Sequence, residues 1–516
     1  MRQYRLIGWA VAFVALLLAA CQPEAASSAP PPTPAQEQPE VLTRGPVHEA
    51  FAEPVNLQVQ AGLVAPDEPP PNIEEIPPAD RPEGEGFVWV PGYWAWDTDR
   101  KGYIWVSACW RAAPPNRAWV PGYWTREPDG WEWVAGFWAP AGDQEIEYLP
   151  APPAADDLQP PGPPPSQDQM WVPPCYYWDQ IKYTRRPGYW LAAQSNWVWV
   201  PSHYVWTPRG YVFVAGHWDY TLERRGVLFA PVYFPRSVYR RAGFSYSPSI
   251  ALDLGVLTVN LFAYPRYSHY YFGDYYDNAY LTVGIYPWFE STRRYTWYDP
   301  IYEHDRWQHR RTEPRWEERA RQDYDRRRTD TALRPPRTYR EMETRAAKLP
   351  EPQRRNIELA RPLATIVASK TTPLKFVQVN TDARRKIAGQ AADVRKFRDE
   401  RSRWETTGDR TKTPQPPTER REPVTPPKET RGPVTPPDTH RGTGTPPAGD
   451  TPRLVPPRDV HLTRPERVKI PAPPIVGKPD VRGPVEKGPP DRPADEDKRK
   501  RPDKDARAEG GEHKDK

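Results

Sequence analysis

The residue in this 516-residue chain with the clearest chemistry is Cys21. It directly follows the small residues Ala19 and Ala20 at the end of an apolar run that begins behind a positively charged start. This is the pattern of a bacterial lipobox, in which cleavage exposes the cysteine for acylation. An uncleaved membrane anchor is the alternative, but the run is short for a membrane span. We therefore expect a signal peptide over 1–21 and a lipid anchor on Cys21.

Two further cysteines, Cys109 and Cys175, could do redox chemistry. An exported chain meets an oxidising compartment, where the two thiols could form a disulfide. The alternative is two separate thiols, because sequence does not fix the distance between them.

Metal and catalytic chemistry have weaker support. His203 and His217 form a pair that strand geometry would hold far apart, and the acidic turn after Asp97 lacks the glutamate of a calcium loop. A His-, Asp- and Tyr-rich stretch over 264–305 could form a polar site or an aromatic lid. No phosphate-binding loop, nucleophile elbow or zinc motif occurs. We expect no enzyme, no metal site and no cofactor.

Cys109, Cys175, His203 and His217 all belong to an eight-residue aromatic cassette. It occurs eight times, mostly at a spacing of 14 residues. A short repeat with fixed spacing indicates an array of similar units rather than one catalytic cleft. The two groups of four cassettes read, in order, FVWVPGYW (87–94), YIWVSACW (103–110), RAWVPGYW (117–124), WEWVAGFW (131–138), QMWVPPCY (169–176), YTRRPGYW (183–190), WVWVPSHY (197–204) and YVFVAGHW (211–218).

Turn-forming residues between cassettes predict that successive cassettes are antiparallel strands of a meander. If each turn closes symmetrically, Trp124 lies opposite Trp131, and Trp197 lies opposite Trp218. The usual Trp at position 3 then covers the usual Gly at position 6 of its neighbour, which is a recognised way to protect exposed strand backbone. Proline at position 5 has no N–H to donate and should kink or bulge the strand.

Composition divides the rest of the chain. Proline accounts for 71 residues and mean hydropathy is −0.86, so much of the chain cannot bury a core. The net charge of +5 gives no reason to expect nucleic acid. We predict a signal peptide (1–21), a disordered Pro-rich spacer (22–86), repeat block one (87–138), a Pro-rich linker (139–168), repeat block two with extra strands and a Tyr-rich segment (169–290), charged helices (298–346), a helical segment (350–405) and a disordered Pro-rich, charged tail (406–516).

The predicted helices contain a capped N-terminus and one apolar face. Asp299 followed by Pro300 predicts a capped helix start. Ile387, Val394, Phe397 and Trp404 lie near one seam of a predicted helix, which favours one docking stripe over a coiled coil. The fold class is therefore a mainly β repeat followed by α-helical segments, with Pro-rich linkers and tail.

The cassettes WVPGYW (119–124), WVAGFW (133–138) and FVAGHW (213–218) resemble the WXXGXW repeat of many bacterial envelope proteins. The ordered motifs over 80–340, including YYFGDYYD (270–277), YPWF (286–289) and YDPIYEHDRWQHRR (298–311), are similar to planctomycete proteins described as cell-surface or protocadherin-like. Gln22 after the lipobox resembles Gram-negative lipoproteins of the outer membrane. The resemblance implies a location and an architecture, without an activity.

The leading hypothesis is a lipid-anchored protein of the cell envelope or surface whose repeat is structural or adhesive. Exposed rings could stack on envelope polysaccharide. An alternative is a scaffold that binds another envelope protein through the helices at 299–404, and a weaker one is a hydrolase or metal protein centred on 264–305. The candidate sugar-stacking residues are Trp89, Trp94, Trp105, Trp119, Trp124, Trp133, Trp138, Trp190, Trp199 and Trp218.

Overall fold

The computed structural model describes residues 38–58, 62–142, 145–369, 371–407 and 464–477. Cys21, the predicted signal peptide and most of the predicted tail lie outside these ranges. Within the described ranges the expected class is confirmed, since antiparallel strands dominate the first part and helices follow. No helix in these ranges combines the length and apolarity needed to cross a membrane.

Each cassette splits into two short strands, because the ladder stops at positions 5 and 6. Proline, the usual residue at position 5, has no N–H to give to a neighbouring strand. The sixteen strands are Phe87–Val90, Tyr93–Asp97, Gly102–Val106, Cys109–Ala112, Arg117–Val120, Tyr123–Glu127, Gly130–Val134, Phe137–Pro140, Gln169–Val172, Cys175–Trp178, Tyr183–Arg186, Tyr189–Ala192, Trp197–Val200, His203–Thr207, Gly210–Val214 and His217–Tyr220.

The cassettes pair two by two into four antiparallel hairpins, which we call the first (87–112), second (117–140), third (169–192) and fourth (197–220) hairpin. In each, the two strands nearest the turn pair with each other, and the two strands farther out also pair. Position 3 lies opposite position 8 throughout, as in Trp94 with Trp105 and Trp119 with Trp138. The groups of four thus subdivide into hairpins of two.

The antiparallel pairing was predicted, but the predicted register is wrong by two residues. Trp124 lies opposite Trp133 rather than Trp131, and Trp218 lies opposite Trp199 rather than Trp197. The reason is the turn. In the second hairpin the ladder continues to the pair Glu127–Gly130, which leaves a two-residue connection, and that tight turn sets the register. The link at 191–196 is not a hairpin turn, since the strands on either side of it pair elsewhere.

The predicted spacer over 22–86 is wrong for its described part, which forms six short strands and a buried segment. The run 47–52 is almost fully buried, and Ala50 and Phe51 have no exposed surface. The flanking strands pair with distant parts of the chain, so the apolar residues here belong to the core. The strands are Glu40–Val41, Gly45–Pro46, Val55–Asn56, Val64–Ala65, Glu74–Glu75 and Asp80–Pro82.

Parts of the predicted linker and tail are also ordered. The strand Glu145–Leu149, inside the predicted linker, pairs with Gly210–Val214 of the fourth hairpin on one side. On its other side it pairs with Glu466–Lys469, which falls in the predicted tail. Alternating apolar residues such as Ile146 and Tyr148 point into the core here, which the proline-rich surroundings concealed.

After the cassettes the chain alternates short strands and helices. The strands are Gly226–Leu228, Val232–Tyr233, Ser245–Tyr246, Ile250–Leu252, Leu261–Tyr264, His269–Phe272, Tyr286–Pro287, Trp297–Tyr298, Ala360–Pro362 and Phe376–Gln378. The helices are α1 (Arg236–Tyr239), α2 (Leu254–Leu257), α3 (Asn278–Val283), α4 (Ser291–Arg294), α5 (Pro300–Thr312), α6 (Trp316–Thr329), α7 (Tyr339–Ala346), α8 (Glu351–Arg355), α9 (Leu363–Ala368) and α10 (Thr381–Thr406).

Two helix predictions are confirmed. The Asp299 carboxylate caps α5 by accepting the N–H of Tyr302. Helix α10 docks through one stripe, in which Val394 and Phe397 are buried in two different apolar clusters. Within the block predicted to hold extra strands, residues 254–257 form α2 instead, because the Asp253 carboxylate accepts the N–H of Gly255 and starts a helix.

Candidate functional site: the carboxylates at the cassette breaks

The break at position 6 leaves a main-chain N–H without a partner in the ladder, and two buried glutamates supply the missing acceptors. In the first hairpin, Glu75 accepts the N–H of Gly92 at 3.1 Å and of Ala108 at 2.9 Å. In the second hairpin, Glu49 accepts the N–H of Gly122 at 3.0 Å and of Gly136 at 3.1 Å. Each carboxylate thus joins the two cassettes of one hairpin at the point where the ladder is interrupted.

Both carboxyl groups are taken almost completely out of water. Glu49 is 3% exposed and Glu75 is 2% exposed. Burial raises the pKa of each to about 7, and the main-chain donors act in the opposite direction by favouring the charged form. Arg401 also lowers the pKa of Glu49, and Arg395 lowers that of Glu75. These are hydrogen-bonded groups inside the core rather than groups facing a substrate cleft.

The carbonyl groups at position 5 need donors, and basic side chains provide them. In the second hairpin, Arg401 of α10 donates to the carbonyls of Pro121 at 2.9 Å and Ala135 at 3.0 Å. In the first hairpin, the His48 ring lies 3.1 Å from the Pro91 carbonyl. An acceptor on one side and a donor on the other therefore complete the broken ladder.

Arg401 is itself held by a buried carboxylate. Its Nε donates to Glu405 at 2.9 Å, and neither side chain has exposed surface. Glu405 also accepts the hydroxyls of Tyr123 at 2.7 Å and Tyr148 at 2.9 Å. One turn of α10 thereby connects the second hairpin to the strand Glu145–Leu149.

The predicted contact between tryptophan and glycine is confirmed, despite the shifted register. A β-carbon at Gly122 would lie 2.6 Å from Cζ2 of Trp133, and one at Gly216 would lie 2.7 Å from Cζ2 of Trp199. Trp119 covers Gly136 in the same way. Only a residue without a side chain leaves room for the indole to reach the backbone at the break.

The fourth hairpin completes its break with its own side chains. Ser202 accepts the N–H of Gly216 at 2.9 Å. His203 and His217 lie 2.9 Å and 3.2 Å from the position-5 carbonyls of Pro201 and Ala215. Burial lowers the pKa of His203 to about 4 and that of His217 well below its ordinary value, so both rings are neutral and their Nδ1–H groups donate to these carbonyls. Among the described residues, no group of three or more His, Cys, Asp or Glu side chains could hold a metal ion.

Of the two alternatives for Cys109 and Cys175, the structure shows two separate thiols rather than a disulfide. Cys109 lies on an outer strand of the first hairpin and is fully buried, which raises its pKa. Cys175 lies on a strand near the turn of the third hairpin and is half-buried.

The ten candidate stacking tryptophans are mostly interior. Stacking on a sugar needs an exposed ring face, so the proposal is wrong for the seven rings that are 5% exposed or less. These are Trp89, Trp94, Trp105, Trp119, Trp133, Trp138 and Trp199. Trp124, Trp190 and Trp218 are half-buried. Trp124 lines a groove of about 220 Å³ together with Arg398, Asp399 and Asn72.

The residues of 264–305 do not converge on one point. His269 lies between the hydroxyl of Tyr93 and the carbonyl of Tyr267, at 2.7 Å from each. Asp274 and Asp277 face arginines instead, at 2.9 Å from Arg337 and 2.7 Å from Arg334. His304 contacts the carbonyl of Gln194 at 3.2 Å. Asp274 and Asp277 share these two arginines, whereas His269 and His304 make their contacts elsewhere.

Sequence reasoning missed Glu49, Glu75 and Arg401 entirely. The two glutamates lie in a segment that composition assigns to a spacer. The available signal was local, because Glu49 stands among the apolar residues of VHEAF (47–51) rather than in a run of charges.

The model of the WXXGXW repeat family matches residues 84–111, 118–139 and 195–218 of the chain. These matches cover parts of the first, second and fourth hairpins. No curated protein and no solved structure matches the chain significantly.

Proposed function

We propose that this chain is a lipid-anchored protein of the cell envelope or cell surface, and that its tryptophan-rich repeat is a non-catalytic structural or adhesive body. The burial of the cassette tryptophans carries the proposal. Most of them form the interior of the first and second hairpins, whose polar breaks are closed by buried glutamates. A repeat whose tryptophans are buried supports a stable structural domain. The match to the WXXGXW repeat supports a surface or extracellular location for that domain.

The anchor is tested by replacing Cys21 with serine in the full chain. Loss of acylation should stop the processing and weaken the membrane partitioning, because Cys21 no longer carries acyl chains and the retained apolar run is short for a membrane span. Cys175→Ser is the matched control, since it removes a thiol but not the lipobox. Unchanged membrane partitioning and processing of Cys21→Ser would overturn the lipid anchor.

The adhesive role has one specific candidate surface, the groove at Trp124. Half-buried Trp124 supplies an aromatic wall, while Arg398, Asp399 and Asn72 supply charged and amide groups at the rim. Aromatic faces beside hydrogen-bonding groups suit the apolar and hydroxyl-bearing sides of a sugar. We therefore place envelope polysaccharide here rather than along the hairpin faces.

Titration of the mature chain with purified envelope polysaccharide tests this groove through tryptophan fluorescence. Binding should change the emission, and Trp124→Ala should remove the response, whereas Trp190→Ala on the third hairpin should retain it. An emission spectrum that no polysaccharide fraction alters would count against glycan binding while leaving the structural role intact.

A scaffold for another envelope protein remains a second proposal. It is supported by α6, none of whose residues is buried and most of whose residues are charged. Helix α10 is a poorer candidate, because its apolar stripe already packs against the hairpins.

A further inference from the structure

The groove at Trp124 has a polar rim that one arginine holds in place. Two charged side chains line the groove, Arg398 and Asp399 of α10. The Nε and Nη2 groups of Arg398 donate to Oδ1 of Asp399 at 3.1 Å and 2.9 Å, and its Nη1 donates to Oδ1 of Asn72 at 3.3 Å. One guanidinium therefore fixes a carboxylate and an amide next to each other at the rim.

Both groups that Arg398 holds keep hydrogen-bonding capacity on their other side. A carboxylate has a second oxygen, and an amide whose oxygen accepts a hydrogen bond still has an NH2 group to donate. Among the described residues, no group donates to Oδ2 of Asp399 and none accepts from the amide nitrogen of Asn72. The rim thus offers one acceptor and one donor side by side.

Two adjacent hydroxyl groups of a sugar ring match this arrangement. One hydroxyl can donate to the Asp399 carboxylate while its neighbour accepts from the Asn72 amide, because a hydroxyl does either. Ser402 lies three residues after Asp399 on the same face of α10, and its hydroxyl adds a third polar group to the lining. Half-buried Trp124 is the apolar wall beside them.

The charges at the rim select against an acidic sugar. The side chain of Arg398 is 13% exposed and that of Asp399 is 62% exposed, so the charge that a ligand meets is negative. A uronate or phosphate group would place a second anion beside Asp399, while Arg398 already binds two acceptors. Arg395, on the preceding turn, interacts electrostatically with Glu74 and Glu75 as well and does not line the groove.

The size of the groove limits how much of a polysaccharide enters it. Its volume of about 220 Å³ is below the roughly 300 to 1,000 Å³ of pockets that enclose a drug-sized ligand. The groove therefore suits a single sugar residue rather than a long stretch of chain. The exposed side of Asp399 leaves the rest of a polysaccharide free to continue into solvent.

We propose that the Trp124 groove is specific for a neutral sugar residue that carries two adjacent free hydroxyl groups, and that Asp399 and Asn72 determine this specificity. The inference rests on the proposed glycan binding and names the class of polysaccharide that the groove takes. Polysaccharides whose residues carry carboxylate or phosphate groups are the class that it excludes.

Neutral and acidic fractions of the envelope polysaccharide, separated by anion exchange, test the selection by charge. Each fraction is titrated into the mature chain at physiological salt, which screens attraction to distant charges of the protein. The readout is the fluorescence change that Trp124→Ala removes. The neutral fraction should bind at least about tenfold more tightly, since juxtaposed like charges are strongly unfavourable. Carboxyl reduction of the acidic fraction, which turns its uronic acids into neutral sugars, should raise its affinity.

Mild periodate oxidation of the neutral fraction tests the requirement for two hydroxyls. Periodate cleaves the bond between two carbons that carry adjacent free hydroxyl groups, so the oxidised fraction should no longer change the emission. A mock-treated sample of the same fraction is the control. Equal binding of the oxidised and mock-treated samples would overturn the proposed recognition of a hydroxyl pair.

Asp399→Asn tests the residue itself, because it keeps the size of the side chain and removes the charge. Binding of the neutral fraction should weaken by roughly tenfold, as expected for the loss of one hydrogen bond to a charged group. The difference between the two fractions should also narrow. Asp393→Asn is the matched control, since that exposed carboxylate lies on the same helix and does not line the groove. Circular dichroism checks that both variants keep the fold.

The outcomes separate this specificity from the glycan binding on which it rests. Equal or tighter binding of the acidic fraction, or an unchanged affinity in Asp399→Asn, would overturn the specificity while glycan binding stands. A lack of response to every fraction would instead contradict glycan binding, and the specificity with it.

Discussion

The Oε2 atom of Glu75 accepts the main-chain N–H of Gly92 at 3.1 Å, between two strands of the first hairpin where the ladder is broken. The second carboxylate, Glu49, does the same for Gly122. A repeat known by its tryptophans and glycines is thus completed by acidic residues from outside the repeat. This relationship gives the first test of the structure.

Removing the Glu75 carboxylate should destabilise the fold strongly. Glu75→Ala leaves two buried N–H groups without acceptors, and each costs about 1 to 3 kcal/mol. We expect a loss of about 2 to 4 kcal/mol in the free energy of unfolding, measured by urea denaturation. Glu74→Ala is the control, because the neighbouring side chain is exposed and should change stability by under about 0.5 kcal/mol. Similar values for both variants would contradict the assigned role.

The same glutamate should give the stability a pH dependence. Its pKa is raised from 4.5 to about 7 in the folded chain, so folding takes up a proton between these values. The stabilisation is fully present below pH 4.5 and is lost as pH rises through about 7. The difference in unfolding free energy between wild type and Glu75→Gln should therefore fall from pH 5 to pH 8, by at most about 1.4 kcal/mol per unit. Parallel pH profiles for the two proteins would show that the Glu75 pKa is not raised.

Filling the space between Gly122 and the Trp133 indole should also destabilise the fold. In Gly122→Ala the new methyl would lie 2.6 Å from Trp133 and 2.8 Å from the Val134 carbonyl oxygen, so the strand or the ring must move. We expect a loss of about 1 to 3 kcal/mol, with a shifted tryptophan emission. Gly86→Ala is the matched control, since nothing lies within 4 Å of its β-carbon position. A stability of Gly122→Ala equal to that of Gly86→Ala would refute the contact.

Helix α10 should depend on Arg401. Arg401→Ala leaves the Glu405 carboxylate buried without its cation and the carbonyls of Pro121 and Ala135 without their donor. Breaking a buried pair from one side costs about 3 to 5 kcal/mol. Hydrogen exchange should show faster exchange along α10 in this variant. The exposed Arg403→Ala should not show it, and unchanged protection in Arg401→Ala would disprove the docking role.

The sequence was informative where periodicity and sterics act locally. The cassette spacing predicted antiparallel strands and the cover of Gly122 by Trp133, because an indole needs a neighbour without a side chain. The register could not be predicted. The six residues between two cassettes do not show how many of them continue the ladder, and a two-residue turn shifts every cross-strand pair relative to the symmetric arrangement. The docking stripe of α10 followed from its spacing.

The side chains that hydrogen-bond to the main chain at the cassette breaks could not be predicted, because they come from distant parts of the chain. Glu49 meets Gly122 and Gly136 across more than seventy residues. Composition assigned its segment to a spacer, and proline content concealed the few apolar residues that bury it. Among the candidate site residues, the tryptophans were given an exposed role that their burial rules out for most of them.

The strand Glu40–Val41 pairs with Val232–Tyr233, and Thr43 donates its N–H to the carbonyl of Arg337. Contacts between such distant residues are slow to form, and they set an order of assembly. During synthesis the first strand must wait for Val232–Tyr233, and Thr43 must wait for Arg337, before they find their partners. The strand Glu145–Leu149 waits longer still for one of its two neighbours, the strand Glu466–Lys469. The body can therefore close only after most of the chain has been delivered, which leaves its aromatic hairpins in need of protection from aggregation until then.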